Sequence, residues 1–125
     1  DVLNRVRGPF NVNNPALAAG VAAIADKAHV EKSRKHNARW LPWLTDEIRG
    51  LGLEVPPSQG NFILIRFPTE PGRDAPAALE HLNARGIIPR RMAAYGLPDA
   101  LRITIGLEED NRIIADALRE FMEQA

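Results

Sequence analysis

The feature that most constrains the fold is the apolar run from Asn61 to Phe67. Its aliphatic and aromatic side chains favour an extended strand, and the turn formers of residues 57–60 precede it. Side chains that are apolar on both faces are typical of a strand inside a sheet. We therefore predict that this segment is the central strand of a small sheet.

Helical and extended patterns alternate around this strand. Asn14 and Pro15 predict the start of an Ala-rich helix that continues to Ala25 and must be covered, with a break before a long helix that contains Pro42 and ends near Gly50. Further elements are predicted as a short strand at 53–56, a helix at 76–85, strands at 86–90 and 101–106, and a helix from about Glu108. This order predicts an α+β fold: a small mixed β-sheet with helices packed mainly on one face.

The first residues differ from the rest of the chain. Turn formers such as Gly8, Pro9 and Asn11 predict that residues 1–13 are an interdomain connector and that residues 14–125 form one small domain. The chain begins at Asp1 rather than at a methionine. On this ground we expect it to be a fragment of a longer protein.

Charge and composition disfavour several classes of function. Sixteen Lys and Arg residues balance sixteen Asp and Glu residues, whereas binding to nucleic acids or membrane surfaces favours a basic excess. No apolar run approaches the roughly 20 residues of a membrane span, and no cysteine is present for a disulfide or a thiolate metal site. His29, His36 and His81 are spread over predicted helices, so we expect them to be solvated and predict no metal site. A cytoplasmic protein is the default expectation.

Arginines on two predicted strands raise the question of an anion site. Side chains alternate along a strand, so the aliphatic residues of the strand 101–106 share one face and Arg102 lies on the other. Arg90 and Arg91 are neighbours and point to opposite faces, so at most one of them can join Arg102. A guanidinium binds carboxylate or phosphate through paired hydrogen bonds. The pattern alone leaves open whether this face holds an anion or is simply wet.

Other residues are ambiguous. The amide of Asn61 either orients a neighbouring arginine or satisfies backbone groups at the strand end, and Tyr95, in a loop, has either a substrate role or a packing role. The lysines lie among charges on a predicted helix rather than in the apolar pocket that suits Schiff-base chemistry (Lys27, Lys32 and Lys35). No glycine-rich phosphate loop or nucleophile elbow occurs. We predict no catalytic, cofactor-binding or metal-binding residue in this chain.

Four segments, in order along the chain, resemble the C-terminal part of the histidinol-phosphate aminotransferases. They are residues 7–13 (RGPFNVN), 57–62 (PSQGNF), 86–90 (GIIPR) and 95–106 (YGLPDALRITIG). The resemblance spans essentially the whole chain. It implies the small domain of a fold type I aminotransferase that depends on pyridoxal 5'-phosphate.

The resemblance also implies roles for particular residues. The position of Arg102 binds the anionic end of the substrate, which is the α-carboxylate of glutamate or the phosphate of histidinol phosphate, and the position of Arg90 assists. With Asn61, these are the predicted substrate-binding residues. The cofactor lysine and most cofactor contacts are expected in an absent large domain, so the isolated chain is expected to be inactive, and the full-length enzyme is expected to be a homodimer. Leu107 departs from a common threonine, so the last helix is expected to lack a hydroxyl cap.

Alternatives remain at this stage. An aromatic amino acid aminotransferase or a relative of the phosphothreonine decarboxylases would carry a similar domain. A non-enzymatic α+β module for ligand binding or dimerisation is the alternative from another class.

Overall fold

The computed structural model describes residues 2–8 and 10–124. They fall into two units, of which one ends at Lys35 and the other begins at His36. Helix α1 (Val2–Val6) lies within the segment predicted as a connector. Asp1 and Pro9, which belong to the same predicted segment, lie outside the described residues.

Helix α2 (Asn14–Ala25) begins where the Asn-Pro pair predicts a helix. Asn13, rather than Asn14, is its cap, because Asn13 Oδ1 accepts a hydrogen bond from the backbone N–H of Ala16 at 2.9 Å. The predicted break is confirmed at Asp26, whose carboxylate accepts from the N–H of His29 at 2.9 Å at the start of the next helix. Helix α2 buries none of its residues, although its apolar composition predicts a covered helix.

Helix α3 (Lys27–Gly50) contains Pro42, as predicted. Its later turns join the second unit, which also holds α4 (Ala75–Asn83) and α5 (Glu108–Gln124). The N-terminus of α4 is capped by Asp74, whose Oδ1 accepts from the N–H of Ala77 at 2.9 Å. Among the described residues, no helix is both long and apolar enough to cross a membrane.

The sheet of the second unit has three strands, β1 (Phe62–Arg66), β2 (Arg90–Arg91) and β3 (Ala100–Thr104). Their order is β1-β3-β2, and both pairings are antiparallel. The α+β class is confirmed, but these strands form an antiparallel sheet rather than a mixed one. The reason is that β3 lies between the two strands that α4 connects, so β1 and β2 run in the same direction without being neighbours.

The prediction that the apolar run is central is wrong, because β3 occupies the middle of the sheet. Beyond β1 the described chain adds only an isolated bridge between Glu54 and Arg66, within the segment predicted as a short strand. Ile63 and Ile65 are fully buried on one face, whereas Phe62 is half-buried on the other. Phe62 on that second face contacts Arg102 of β3, so its apolar side chain does not require a covering layer.

The core lies between one face of the sheet and the three helices, as the sequence predicts. Its largest fully buried apolar side chains are Leu44, Ile48, Ile63, Ile65, Leu82, Leu101 and Leu118. Burial of each such side chain contributes about 1.5–3 kcal/mol. Arg102 is half-buried and alternates along β3 with Leu101 and Ile103 of the core, so its side chain projects to the opposite face of the sheet.

Two histidines are held by backbone carbonyl groups rather than solvated, which corrects the prediction for them. His36 Nε2 lies 2.8 Å from the carbonyl oxygen of Gly106, and His81 Nε2 lies 2.9 Å from that of Ala117. Both side chains are half-buried. Each nitrogen therefore donates to a carbonyl oxygen and links a helix to another part of the second unit.

A buried amide fastens the end of β3 to helix α5. Asn111 is fully buried, its Oδ1 accepts from the N–H of Gly106 at 2.9 Å, and its Nδ2 donates to the carbonyl of Gly106 at 3.0 Å. Leu107 has no hydroxyl, but Asp110 Oδ2 accepts from the N–H of Leu107 at 2.9 Å. This reciprocal bond is one half of a capping box, so a carboxylate caps the helix without the threonine.

We predict that Asn111→Ala lowers the free energy of unfolding by about 1–3 kcal/mol, because it leaves the backbone N–H of Gly106 without a partner, while His36 still donates to the carbonyl oxygen of that residue. The matched control is Asn83→Ala, at an exposed position near the end of α4, which should change stability by no more than about 0.5 kcal/mol. Urea unfolding of both variants measures the difference. Equal effects of the two substitutions would contradict the role given to Asn111.

Candidate anion-binding site

The strand register places two arginines side by side. Arg90 pairs directly with Arg102, and Arg91 pairs with Leu101. Directly paired residues of antiparallel strands project to the same face, with Cβ atoms about 4.5–5.5 Å apart. Arg90, and not Arg91, therefore shares the face of Arg102.

Neither of these guanidinium groups has an acidic partner within the described residues. The ion pairs of the second unit involve other arginines: Arg66 with Asp99 at 3.1 Å, Arg85 with Glu120 at 2.8 Å, Arg112 with Glu108 at 3.0 Å, and Arg119 with Glu47 at 3.0 Å and with Asp116. Arg102 Nε is buried and has no hydrogen-bond partner in the described part of the chain. An unsatisfied buried donor costs about 1–3 kcal/mol. The positive charge of this face thus lacks internal compensation.

Aromatic rings hold the two arginines instead of carboxylates. The Cζ atom of Arg102 lies 4.8 Å from the centre of the Phe62 ring, and that of Arg90 lies 5.1 Å from the centre of the Tyr95 ring. Nη2 of Arg90 also donates a hydrogen bond to the hydroxyl of Tyr95. A cation–π contact at an exposed site contributes about 0.5–1 kcal/mol. It orients a guanidinium without cancelling its charge.

The turn before β1 sets the position of the Phe62 ring. Ser58 Oγ donates to the carbonyl of Phe62 at 2.6 Å and accepts from the N–H of Gly60 at 3.2 Å, which closes the turn. The Phe62 ring lies against Gly60, where an added Cβ would stand 3.0 Å from the ring. Ser58 and Gly60 therefore have local structural roles, because they position the Phe62 ring that contacts Arg102.

A cleft of ≈ 290 Å³ opens next to the arginine pair. Strand β2 covers only Arg90 and Arg91, so the strand predicted over 86–90 is shorter than expected. Pro89 has no N–H for a ladder hydrogen bond, and the chain before Arg90 does not pair with β3 within the described strands. The resulting gap is lined by residues 87–90 and by Arg102, Ile103, Thr104 and Ile114.

Asn61 is not brought to the arginine pair. Its carbonyl accepts from the N–H of Ile105 at 2.8 Å, and its side chain is exposed and makes no hydrogen bond with the described residues. The alternation of β1 puts Asn61 in phase with Ile63, on the face opposite Phe62 and Arg102. Its position therefore matches a backbone role at the strand end, and its role as a substrate ligand stays a prediction.

Sequence reasoning gave no role to Phe62 and left that of Tyr95 undecided, although both contact the arginine pair. The only signal for Phe62 was its apolar side chain on the second face of β1, which a central position of that strand would also explain. Tyr95 opens the segment 95–106 that resembles the family, but the resemblance assigned no role to it. Both contacts depend on strand register and loop conformation.

Taken together, the geometry suits a group with two or more anionic oxygens. Two permanently charged guanidinium groups on one face offer several N–H donors in fixed planes, which match carboxylate or phosphate oxygens. Apart from Tyr95, no titratable side chain that could act as an acid or base contacts them within the described residues. The site can bind and orient an anion, and it holds no proton donor of its own apart from the Tyr95 hydroxyl.

The chain belongs to the aminotransferase class I and II family, because the model of that family matches residues 1–118. The resemblance to the histidinol-phosphate aminotransferases is confirmed by two relatives with that name. Those of Nitrobacter hamburgensis and Paramagnetospirillum magneticum are each 56% identical to the chain, over 124 and 121 residues. The matches cover 99% and 97% of this chain but 34% and 33% of the relatives. The chain therefore spans about one third of their length.

Solved structures share the fold. The histidinol-phosphate aminotransferase of Clostridium acetobutylicum superposes with a TM-score of 0.82 over 98% of this chain and 37% of its own, at 22% identity. A decarboxylase from Sulfurospirillum multivorans gives a TM-score of 0.75 over 98% of this chain and 36% of its own, also at 22% identity. These likenesses establish the α+β fold and do not distinguish between the activities of the two proteins.

The described residues do not fit the pyridoxal phosphate cofactor itself. Attachment of the cofactor needs a lysine that is desolvated or placed beside another cation, so that its amine loses the proton. All three lysines of the chain are exposed (Lys27, Lys32 and Lys35), and Lys35 lies 3.6 Å from the carboxylate of Glu31.

We predict that the 125-residue chain forms no stoichiometric, borohydride-stable adduct with pyridoxal phosphate at a single lysine. Mass spectrometry after reduction measures the adduct. Free lysine at the same concentration is the control for reaction with exposed amines. One site that is modified to completion while the other two lysines stay free would contradict this expectation.

Proposed function

We propose that the chain is the C-terminal small domain of a pyridoxal-phosphate-dependent transaminase. The reaction moves an amino group between glutamate and imidazole-acetol phosphate, which yields histidinol phosphate and 2-oxoglutarate, a step of histidine biosynthesis. The observation that carries the proposal is the pair Arg90 and Arg102, in register on one face of the sheet and without a described acidic partner. The identity of 56% to two histidinol-phosphate aminotransferases supports the choice of substrates.

The role of this domain is to bind the anionic end of each substrate. Arg102 takes the α-carboxylate of glutamate or the phosphate of histidinol phosphate, and Arg90 donates to the same group. Hydrogen bonds between charged groups contribute about 1.5–3 kcal/mol each. Substrate held by two arginines is fixed in orientation and has displaced water from the guanidinium groups, both of which favour a reaction at the far end of the molecule.

The remaining parts of the proposal concern the rest of a protein of the relatives' length. When bound, pyridoxal phosphate supplies the electron sink for the transfer, and we infer that the remaining two thirds of such a protein carry its lysine and most of its contacts. A cytoplasmic homodimer is our expectation for this enzyme. Membership of the aminotransferase class I and II family supports the cofactor and argues against a non-enzymatic module.

The test is a set of three alanine variants in a transaminase of the relatives' length that contains this chain. Arg102→Ala should raise the KM for both glutamate and histidinol phosphate about tenfold or more, which corresponds to about 1.4 kcal/mol of lost binding. Arg90→Ala should raise the KM by a smaller factor. Arg91→Ala is the matched control, because its side chain projects to the other face, and it should leave both constants within about twofold.

Unchanged kinetics with glutamate in Arg102→Ala would remove this residue from the substrate site. The substrates themselves are tested with the unmodified enzyme by steady-state kinetics on histidinol phosphate and on phenylalanine. A higher kcat/KM for phenylalanine would favour an aromatic amino acid aminotransferase. Release of carbon dioxide from phosphothreonine would favour a decarboxylase relative.

A further inference from the structure

Tyr95 is the only tyrosine of the chain, and core packing does not account for it. Its side chain is 60% exposed, so its ring adds little to the hydrophobic core. Its two described side-chain contacts are both with Arg90: the ring lies under the guanidinium, and the hydroxyl oxygen accepts a hydrogen bond from Nη2. These contacts connect Tyr95 to the arginine pair.

The backbone of the loop between β2 and β3 fixes the place of this ring. Tyr95 lies in a single 3₁₀ turn, in which its N–H donates to the carbonyl of Met92 at 2.9 Å. Gly96 follows in the left-handed region, with φ 78°, and its N–H donates to the carbonyl of Ala93 at 3.0 Å. The N–H of Leu97 donates to Met92 as well, at 3.3 Å. A loop closed by these bonds holds Tyr95 beside Arg90 without burying it.

The hydroxyl of Tyr95 has a second capability that the described chain does not use. A phenol both accepts and donates a hydrogen bond. The oxygen of Tyr95 accepts from Arg90, while its own proton has no acceptor among the described residues. A donor beside Arg90, whose side chain shares a face with that of Arg102, is available to the same anion.

We propose that Tyr95 positions Arg90 in the anion site and that its hydroxyl donates a hydrogen bond to the bound anion. This hydrogen bond raises the preference of the site for phosphate over carboxylate. This inference rests on the proposed function, since it assigns a part of the same site. A carboxylate has two oxygens in one plane, which two guanidinium groups can satisfy. The phosphate group of a monoester has three terminal oxygens arranged as a pyramid, and therefore one more acceptor for a third donor.

The positioning part needs no ligand, and the complete 125-residue chain is the sample. We expect that Tyr95→Phe, which keeps the ring and removes the hydroxyl, increases the motion of the Arg90 side chain, and that Tyr95→Leu increases it further. The readout is the ¹⁵N order parameter of the Arg90 Nε–H group. Arg112 is the internal reference, because its guanidinium is bound to Glu108 at 3.0 Å and makes no described contact with Tyr95. Equal order of Arg90 in all three chains would overturn the positioning role.

The donor part is tested by titration of the same chains with inorganic phosphate and with acetate, followed through the Nε–H signals of Arg90 and Arg102. We expect Tyr95→Phe to raise the Kd for phosphate about fivefold and the Kd for acetate less than about twofold. Equal changes for the two anions, or no phosphate binding to the unmodified chain, would overturn the donor role. Backbone amide NMR spectra of the two Tyr95 variants report whether the core is unchanged.

The failure of this inference is distinguishable from that of the proposed function. If Arg102→Ala weakens both substrates of the transaminase while Tyr95→Phe changes neither Arg90 order nor anion preference, the transaminase assignment stands without a role for Tyr95. If Tyr95→Phe has both expected effects but the transaminase ignores histidinol phosphate, the anion site stands and the substrate assignment falls.

Discussion

The candidate anion site depends on the register between β2 and β3, which sets two positively charged side chains opposite each other. Arg90 faces Arg102 across β2 and β3, and directly opposed like charges destabilise a sheet. The other face of the sheet fixes the side on which Arg102 lies, because Ile103, its neighbour in β3, is buried and pairs with the fully buried Ile63 of β1. A slip of one residue between β1 and β3 would turn buried side chains of one strand to the open face. The hydrophobic core therefore holds Arg102 on the open face, where Arg90 of β2 is its direct partner.

The elements around the sheet determine where each guanidinium points. The Ser58 turn and the bare Cα of Gly60 set the ring of Phe62 beneath Arg102, and the closed loop after β2 sets Tyr95 beneath Arg90. The end of β3 is held in turn by Asn111, whose amide satisfies both backbone groups of Gly106. Each of these contacts joins a strand to residues that lie close to it in sequence. Together they orient the side chains of Arg90 and Arg102.

Local chemistry is what the sequence predicts well. The start of α2 (though not its capping residue), the break at Asp26 and the placement of Arg102 on a different face from Ile103 all follow from neighbouring residues. Strand order and pairing partners depend instead on contacts between distant segments. For this reason periodicity placed β1 in the centre of the sheet and could not choose between Arg90 and Arg91, which only the resemblance to a family separated. Phe62 illustrates the first of these failures, because its apolar side chain contacts Arg102 rather than a layer that covers the second face of β1.

The partners of Arg90 and Arg102 differ from those of the ion-paired arginines in the second unit. Other arginines of the second unit form ion pairs with carboxylates, as Arg66 does with Asp99 and Arg85 with Glu120, so that their charges are neutralised within the chain. Arg90 and Arg102 meet aromatic rings, which restrict their side chains and leave their charges in place. A sheet needs no such pair for its stability, and carboxylate partners would have relieved the repulsion at no cost to the core. Aromatic contact alone does not set the pair apart, because Arg112 lies 5.3 Å from the centre of the Trp43 ring and is also paired with Glu108. The pair differs in that two guanidinium groups without a described acidic partner share one face of the sheet, which is the arrangement expected when the neutralising oxygens come from a ligand.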